Sequence, residues 1–393
     1  MQEALDPYTP GAGRAPVAMV GRDEDLAALD VLIARTANRL PPARPMLLTG
    51  LRGTGKTVLL NAMAQRVEGE RWLVVQLEAT QGPKGGAGAR QALAGGLAKA
   101  ALGVRGVVGL ERAGALLATI TSFLLSVGLD SISLGVEREP TKASTGSLEL
   151  DLRDAVAEVC AAIAEEPVAL AILIDEMQDL DDELLAALIT TQHQASQRGW
   201  PFYLIGAGLP SLPGRLAEVK SYAERMFEVR QVGAFTEAEA RQALIGPAER
   251  MGAGYEQAAL DHLVRASGRY PYFLQEMGSA MWRVASGTPF TAEHAVEAER
   301  AGLAQLDSMF FAARWERATP AEREYLSAMA AQGEEACLSA AVAEHLGKVP
   351  ASLGPARANL ISKGLVYSPQ RGQVAFTVPG FARYVARRRE AEA

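Results

Sequence analysis

Three glycines, a lysine and a threonine stand close together near the start of the sequence, at the spacing of a phosphate-binding loop. The segment reads Gly50-Leu51-Arg52-Gly53-Thr54-Gly55-Lys56-Thr57 and continues with Val58. Glycines let the backbone curl so that successive N–H groups point at phosphate oxygens, and the following helix adds its positive end. Lys56 can reach the β- and γ-phosphates, and the Thr57 hydroxyl can ligate Mg²⁺. Residues 52–58 are therefore predicted to bind the phosphates of a nucleotide.

Two acids follow the most apolar segment of the chain. Asp175 and Glu176 come directly after Val168-Ala169-Leu170-Ala171-Ile172-Leu173-Ile174. Hydrolysis of a bound triphosphate needs a metal clamp and an oriented water. Asp175 is expected to complete the Mg²⁺ site with Thr57, and Glu176 to polarise the attacking water. The polar residues that come next are expected to lie in solvent at the start of a helix: Gln178, Asp179, Asp181 and Asp182.

The elements that must position these residues alternate between strand and helix. Apolar runs typical of strands buried on both faces occur at residues 45–49, 72–77 and 168–174, further strands are indicated at 201–205 and 226–232, and helical patterns lie between them. This alternation predicts an α/β fold, a P-loop NTPase with a parallel sheet core covered by helices. From Thr236 onward the pattern is helical, and capping-box sequences begin at Thr236 and Thr319.

Four regions follow from these patterns. Residues 1–16 are rich in Pro and Gly and are expected to form a flexible tail. Residues 17–232 form the ATPase core, with an insertion at about 82–147 that is expected to contain helices and a short hairpin near residues 131–136. Within it, the apolar run 116–129 is shorter than a membrane span and is expected to be buried core. Residues 233–313 are expected to be all-α, and 314–393 to form a winged helix-turn-helix domain.

Composition excludes several classes of protein. The 393 residues are 49% hydrophobic and 22% charged, as in ordinary globular proteins. Cys160 and Cys337 lack metal-ligand spacing, so a zinc site or a disulfide scaffold is not expected. The first residues lack the order of a secretory signal peptide, which favours a cytoplasmic protein without a membrane span. Of the net charge of −7, residues 315–393 contribute +2, from 10 Lys and Arg against 8 Asp and Glu.

On its motifs the chain resembles the AAA+/STAND P-loop ATPases, in particular their origin-recognition-type and archaeal-ATPase-like branch. The resemblance runs from about Val17 to the C-terminus and leaves the insertion uncovered. The residues that carry it, besides the P-loop, are Val20-Gly21-Arg22-Asp23-Glu24, Leu173-Ile174-Asp175-Glu176-Met177-Gln178, Gly206-Ala207-Gly208-Leu209-Pro210, Arg225-Met226-Phe227 and Ser267-Gly268-Arg269-Tyr270-Pro271-Tyr272.

The resemblance implies further roles for individual residues. Val20, Gly21 and Arg22 would lie near the adenine. Residues 233–313 would form a helical lid, from which Pro271 would contact the nucleotide. Arg225 stands where the family has a trans-acting arginine finger, and the other reading is a surface arginine paired with Glu224 or Glu228. The sequence also departs from the family, because Gly206-Ala207-Gly208 offers no polar sensor side chain.

The winged helix is compatible with two kinds of partner. The predicted recognition helix carries Arg357 and Lys363, and the wing carries Arg371, which favours contact with double-stranded DNA. The other reading is that the domain packs on the ATPase core or on a partner protein, because fold alone does not choose between them.

The function predicted from the sequence is an ATP-binding ATPase. Mg²⁺-dependent hydrolysis would drive a conformational or oligomeric switch, with ATP and ADP as ligands and self-association in the ATP state. The alternative is a nucleotide-dependent signalling scaffold or transcriptional regulator that scarcely hydrolyses ATP and uses its winged helix for protein contacts.

Overall fold

The fold is described from a computed structural model, which describes residues 2–11, 13–108, 123 and 145–392. The chain divides into two compact units. The sheet unit comprises Asp23–Thr49 and Leu59–Gln231, and the helical unit comprises Met1–Arg22, Gly50–Val58 and Val232–Ala393. The sequence-based boundaries assign the P-loop to the core, whereas in the structure it clusters with the lid and the winged helix. Within the described ranges, no helix is both long and apolar enough to cross a membrane.

The sheet unit contains five parallel strands in the order β2-β3-β4-β1-β5. Its elements are α1 (Asp23–Ala37), β1 (Met46–Thr49), α2 (Lys56–Gly69), β2 (Leu73–Glu78), α3 (Pro83–Val108), α4 (Leu148–Ala162), β3 (Leu170–Asp175), α5 (Asp182–Arg198), β4 (Phe202–Gly208), α6 (Leu212–Val219) and β5 (Glu228–Gln231). Every residue of β1, β3 and β4 is buried, because a parallel sheet has helices on both faces. The predicted α/β fold is confirmed.

The described part of the predicted insertion is one long helix, α3. It packs closely on β2, since a Cβ atom on Gly96 would lie only 2.4 Å from Val75 Cγ1. Phe123, from the apolar run 116–129, is fully buried. The rest of that run and the hairpin expected near residues 131–136 lie outside the described residues.

The helical unit begins with the lid. Its helices are α7 (Glu237–Arg250), α8 (Gln257–Ala266), α9 (Pro271–Val284), α10 (Ala292–Gln305) and α11 (Ala312–Glu316), with a π-helix at Leu306–Phe311 between the last two. Thr236 forms the predicted capping box with Glu239 at the start of α7. A further capping box, which the sequence reading missed, joins Thr291 to His294 at the start of α10.

The C-terminal elements have the order of a winged helix-turn-helix. They are α12 (Pro320–Ala330), β6 (Cys337–Leu338), α13 (Ser339–His345), α14 (Gly354–Ser362), β7 (Val366–Tyr367), β8 (Gln373–Phe376) and α15 (Phe381–Glu392). The sequence predicts two wing strands, whereas the sheet has three, because β6 pairs antiparallel with β8. The capping box predicted at Thr319 is present, with Glu322 as its partner.

The N-terminal segment differs from the flexible tail expected from its composition. Tyr8 is only 3% exposed and belongs to the core of the helical unit. Its hydroxyl donates to the Leu244 carbonyl at 2.5 Å and lies 2.6 Å from the Tyr255 hydroxyl. The Ser279 hydroxyl donates to Asp6 Oδ2 at 2.6 Å. Composition suggested disorder because Pro and Gly are frequent, but one buried aromatic side chain anchors the segment.

We expect Tyr8→Ala to lower the free energy of unfolding by about 3–5 kcal/mol, the usual cost of deleting a large buried aromatic side chain. Chemical denaturation measures the change. Leu5→Ala is the matched control, because Leu5 lies in the same segment but is 48% exposed, and its effect should stay within about 0.5 kcal/mol. Equal effects of the two substitutions would show that Tyr8 does not anchor the segment.

Candidate functional site

The P-loop owes its shape to glycines at three positions. Gly53 and Gly55 have φ angles of +85° and +91°, a region that side chains disfavour. A Cβ atom on Gly50 would lie 2.1 Å from the Val232 carbonyl oxygen, so only glycine allows this approach. A Cβ atom on Gly55 would meet no atom within 4 Å. The loop therefore leaves open space at Gly55, where a nucleotide phosphate can approach the backbone.

The side chains of the P-loop support its backbone. The Thr54 hydroxyl and the Lys56 ammonium both donate to the Leu51 carbonyl oxygen, each at 2.9 Å. Thr54 and Lys56 are buried, at 1% and 5% exposure. The predicted phosphate-binding lysine thus lies inside the loop, with its charge stabilised by a backbone carbonyl.

Residues before the first helix also contact the P-loop. Arg22 Nη2 donates to the Thr54 carbonyl at 2.8 Å and to the Gly233 carbonyl at 3.1 Å. Gly21 has a φ of +65°, and a Cβ atom there would lie 2.7 Å from the Glu239 carboxyl carbon. Val20 packs on the core of the helical unit. These contacts join the P-loop to the start of the lid, while a role for the three residues near an adenine stays a prediction.

The lid contacts the P-loop beside Pro271. Pro271 is the first residue of α9, and the next residue, Tyr272, donates its N–H to the Gly53 carbonyl at 3.2 Å. The Tyr272 ring stacks on Phe310 with centroids 4.8 Å apart, and the Arg314 guanidinium lies 3.9 Å from the Phe310 centroid. Burial, together with the charges of Arg52 and Arg317, lowers the pKa of Arg314 to about 10.

The winged helix is hydrogen-bonded to the P-loop. The Arg52 N–H donates to the Thr377 carbonyl at 2.9 Å. The Arg52 guanidinium lies against Gly364, since a Cβ atom built there would be 3.0 Å from Arg52 Nη2. Thr377 is fully buried, and its hydroxyl donates to the Gly364 carbonyl at 2.8 Å. Through Arg52 the P-loop therefore contacts the winged helix at two points, Gly364 just before β7 and Thr377 just after β8.

In the sheet unit, the two predicted acids lie at the end of β3. Asp175 is 7% exposed, and its Oδ1 accepts the Glu176 N–H at 2.9 Å. Glu176 has φ +48° and ψ +39°, in the left-handed region that non-glycine residues rarely adopt. Such a conformation costs of order 1–3 kcal/mol and clusters at functional sites. Oxygen donors such as the carboxylate of Asp175 and the hydroxyl of Thr57 are of the kind that Mg²⁺ prefers.

Gln178 connects Glu176 to the end of β4, contrary to the expectation that it lies in solvent. Its Nε2 donates to Glu176 Oε2 at 2.6 Å, and its Oε1 accepts the Leu209 N–H at 3.1 Å. A Cβ atom on Gly208 would lie 2.3 Å from Gln178 Oε1, so glycine makes room for this amide. The absence of a side chain at Gly208, at the end of β4, is therefore explained by the space that the Gln178 amide occupies.

The acids after Gln178 also have partners. Asp179 accepts a hydrogen bond from Gln81 at 2.9 Å, and Asp181 caps α5 and forms an ion pair with Arg90 at 2.7 Å. Asp182 forms an ion pair with Arg215. Asp181 and Asp182 therefore stand at the helix start as predicted, and Asp182 is exposed, whereas Asp179 lies before the helix and is only half-exposed.

Residues 18–205 match the family described as the AAA ATPase domain, and residues 308–385 match a domain of unknown function. Residues 18–205 are therefore similar to an AAA ATPase domain. The P-loop and the acids at the end of β3 both fall inside the matched range. No curated protein matches the sequence.

Among solved structures, the protein is similar in fold to a Walker-type ATPase of Pyrococcus abyssi. It is 16% identical with a TM-score of 0.57, over 97% of this chain and 99% of that one. The Thermotoga maritima RuvB Holliday junction branch migration motor is 15% identical, TM-score 0.44, over 91% and 92%. The Aeropyrum pernix Orc1 protein in complex with DNA is 15% identical, TM-score 0.46, over 96% and 95%. The TM-scores of the RuvB and Orc1 structures both lie below 0.5.

Arg225, beyond the matched AAA ATPase range, lies on the surface. It ends a 3₁₀ turn, Ala223–Arg225, and is exposed. If Arg225 were a surface arginine without a catalytic role, it was expected to pair with Glu224 or Glu228. Glu228 instead forms an ion pair with Arg230 at 2.8 Å. Arg225 forms no salt bridge with any acid among the residues that the structure describes. A role as a trans-acting arginine stays a prediction.

Two of the three residues predicted to contact DNA are engaged inside the winged helix. Arg357 Nη2 donates to the Ser368 hydroxyl at 2.9 Å and the Gln373 carbonyl at 3.1 Å. Lys363 pairs with buried Glu322 at 2.6 Å. Burial alone would raise the pKa of Glu322. The hydrogen bonds to Glu322 and the charge of Lys363 have the larger effect, so the pKa of Glu322 lies below the ordinary value. Arg371 alone is exposed, in the turn between β7 and β8.

We expect Gln178→Leu to lower the free energy of unfolding by about 1–3 kcal/mol, because the partly buried Leu209 N–H loses its acceptor. If the AAA ATPase domain turns over ATP, kcat should also fall about tenfold to a hundredfold with KM unchanged, since Glu176 loses the amide that orients it. Denaturation and steady-state assays measure the two effects. Gln197→Leu, which removes an exposed glutamine, is the control. Unchanged stability and kcat would exclude a supporting role for Gln178.

Proposed function

We propose that the protein is a Mg²⁺-dependent ATPase whose nucleotide state is transmitted to its winged helix. One observation carries this proposal: the P-loop donates a backbone hydrogen bond, from Arg52 N–H to the Thr377 carbonyl, directly to the winged helix. A P-loop that rearranges around phosphate would alter this contact. Small shifts at a binding site become large ones when a packed interface has two discrete arrangements.

Each site residue has a role in this proposal. Lys56 and the loop amides would bind the phosphates, and Thr57 and Asp175 would hold Mg²⁺. The metal ion, when bound, would neutralise charge that develops on the phosphates. Glu176 would accept a proton from the attacking water, as a general base.

The charge around Arg314 also supports a phosphate ligand. Arg314 is half-buried and donates to the Phe310 carbonyl, but among the described residues it forms no salt bridge, while Arg52 and Arg317 add like charge. Burying cations together is unfavourable unless an anion compensates. A nucleotide phosphate at the P-loop would provide that compensation.

A second candidate function is a nucleotide-dependent switch with little hydrolysis. It is favoured by the hydrogen bond from Gln178 Nε2 to Glu176 Oε2, which occupies one carboxylate oxygen of the proposed base. Contact with double-stranded DNA would depend on Arg371 and the arginines of α15, because Arg357 and Lys363 already have partners. The exposed Arg225 fits self-association in the ATP state, in which it would act on a neighbouring subunit.

We expect Lys56→Ala to weaken ATP binding by about a hundredfold or more, because a charge-assisted contact to phosphate is lost. Glu176→Gln should keep ATP affinity and lower kcat by about 10²–10⁴-fold, the usual contribution of a general base. Calorimetry and a single-turnover assay separate the two. Lys84→Ala removes an exposed lysine and is the control. Micromolar ATP affinity in Lys56→Ala would contradict the site, and full turnover in Glu176→Gln would contradict the base.

We expect an ATP analogue with Mg²⁺ to increase hydrogen exchange in residues 364–378, because release of Arg52 would free this part of the winged helix. Mass spectrometry with and without nucleotide measures the change. Lys56→Ala, which should not bind the analogue, is the negative control, and residues 170–175 of β3 serve as an internal reference. If the nucleotide binds but exchange in residues 364–378 does not change, the ATPase assignment would stand. The proposed transmission from the P-loop to the winged helix would then be rejected.

A further inference from the structure

A cavity of about 370 Å³ lies within the helical unit, where the lid meets the C-terminal helix. Helices α8, α9 and α10 and the π-helix provide its lid side, and Gly380 with α15 closes the other side. Its volume falls in the range of pockets that hold small molecules, roughly 300–1,000 Å³. None of its lining residues belongs to the P-loop or to the acids at the end of β3.

The floor of the cavity is apolar and rigid. Phe273, Met277, Leu306 and Phe311 line it, and each is at most 5% exposed. Gly380, with φ +75°, allows the start of α15 to approach this floor, since a Cβ atom there would lie 3.4 Å from Phe311 Cζ. An apolar group entering the cavity would therefore meet packed aromatic and aliphatic side chains.

The π-helix gives the floor its composition. Leu306 and Phe311 are five residues apart and both line the cavity. In a regular α-helix such residues point about 140° apart, so the wider π turn is what lets both side chains line one cavity. π-Helical turns are rare and occur frequently at functional sites. The irregularity thus supports a binding role for this cavity.

The rim of the cavity is positively charged. Arg265, Arg383 and Arg387 line it, and Glu299 is the single acid among the lining residues. Glu299 Oε2 lies 2.6 Å from His262 Nε2, so its carboxylate is engaged on one wall.

The three rim arginines differ in how fully their charge is compensated. Arg387 pairs with Asp307 at 2.6 Å, whereas Arg383 lies 3.6 Å from Glu334, a carboxylate that also accepts two backbone N–H groups at the start of α15. Arg265 is exposed in the last turn of α8 and forms no ion pair with any residue that the structure describes. The rim therefore offers a guanidinium that is available to an anion.

We propose that this cavity binds a small amphipathic anion: a carboxylate or phosphate head contacted by Arg265, with a short apolar chain or ring on the floor formed by Phe273 and Met277. Guanidinium groups suit both heads, because their N–H donors match two oxygens at once. Since the lining comes from both the lid and α15, a bound anion would fasten these two parts together. The site is separate from the proposed nucleotide site and does not depend on it.

Octyl phosphate, titrated by calorimetry into the full chain below its micellar concentration, tests the proposal. Saturable binding of one molecule per chain is expected. Octyltrimethylammonium, which has the same chain and the opposite charge, should bind at least about tenfold more weakly, since a charge-assisted contact contributes about 1.5–3 kcal/mol. Octanoate should bind like octyl phosphate if the head is recognised by charge, and inorganic phosphate alone should bind more weakly than either.

Two variants test the position of the site. Arg265→Ala should weaken octyl phosphate binding about tenfold or more, whereas Arg283→Ala, which removes an exposed arginine from the last turn of α9, should leave it within twofold. Ala266→Leu adds bulk to the cavity wall and should also weaken binding while circular dichroism shows a folded chain. Absence of saturable binding, equal binding of the cation, or unchanged binding in both Arg265→Ala and Ala266→Leu would overturn the proposal.

Discussion

The hydrogen bond between the Arg52 N–H and the Thr377 carbonyl is the constraint on which the helical unit depends. It fixes the P-loop to the winged helix, while Arg22 fixes the same loop to the beginning of the lid and Tyr272 fixes it to α9. A nine-residue segment thus has contacts with three parts of one unit. Because all three use the loop's backbone, the loop cannot change shape without consequences for each of them.

Local patterns in the sequence were enough to predict the strands of the large sheet, most helices and two of the three capping boxes among the described residues. The apolar runs at residues 168–174 and 201–205 became β3 and β4 within about three residues at each end, because a parallel strand buried on both faces must be apolar throughout. Thr236 and Thr319 formed their capping boxes, since that contact spans only three residues. The curled P-loop likewise follows from glycines that are close in sequence.

Contacts between distant residues could not be predicted in the same way. Gln178 was expected in solvent, but its amide reaches Leu209, thirty-one residues away. Arg357 and Lys363 looked like DNA contacts because both are basic, whereas their partners are a hydroxyl, backbone carbonyls and one buried carboxylate. Composition describes what a side chain carries, and only the fold determines which groups compensate its charge.

The position of Tyr8 has a consequence for how the chain is made. Its hydroxyl pairs with Leu244, 236 residues further along the chain. At about 5–20 residues per second, a ribosome needs roughly 10–50 s to synthesise that interval. The Tyr8 segment therefore cannot reach its buried position before Leu244 has been synthesised, and the lid core is completed only when the two ends of this long interval meet.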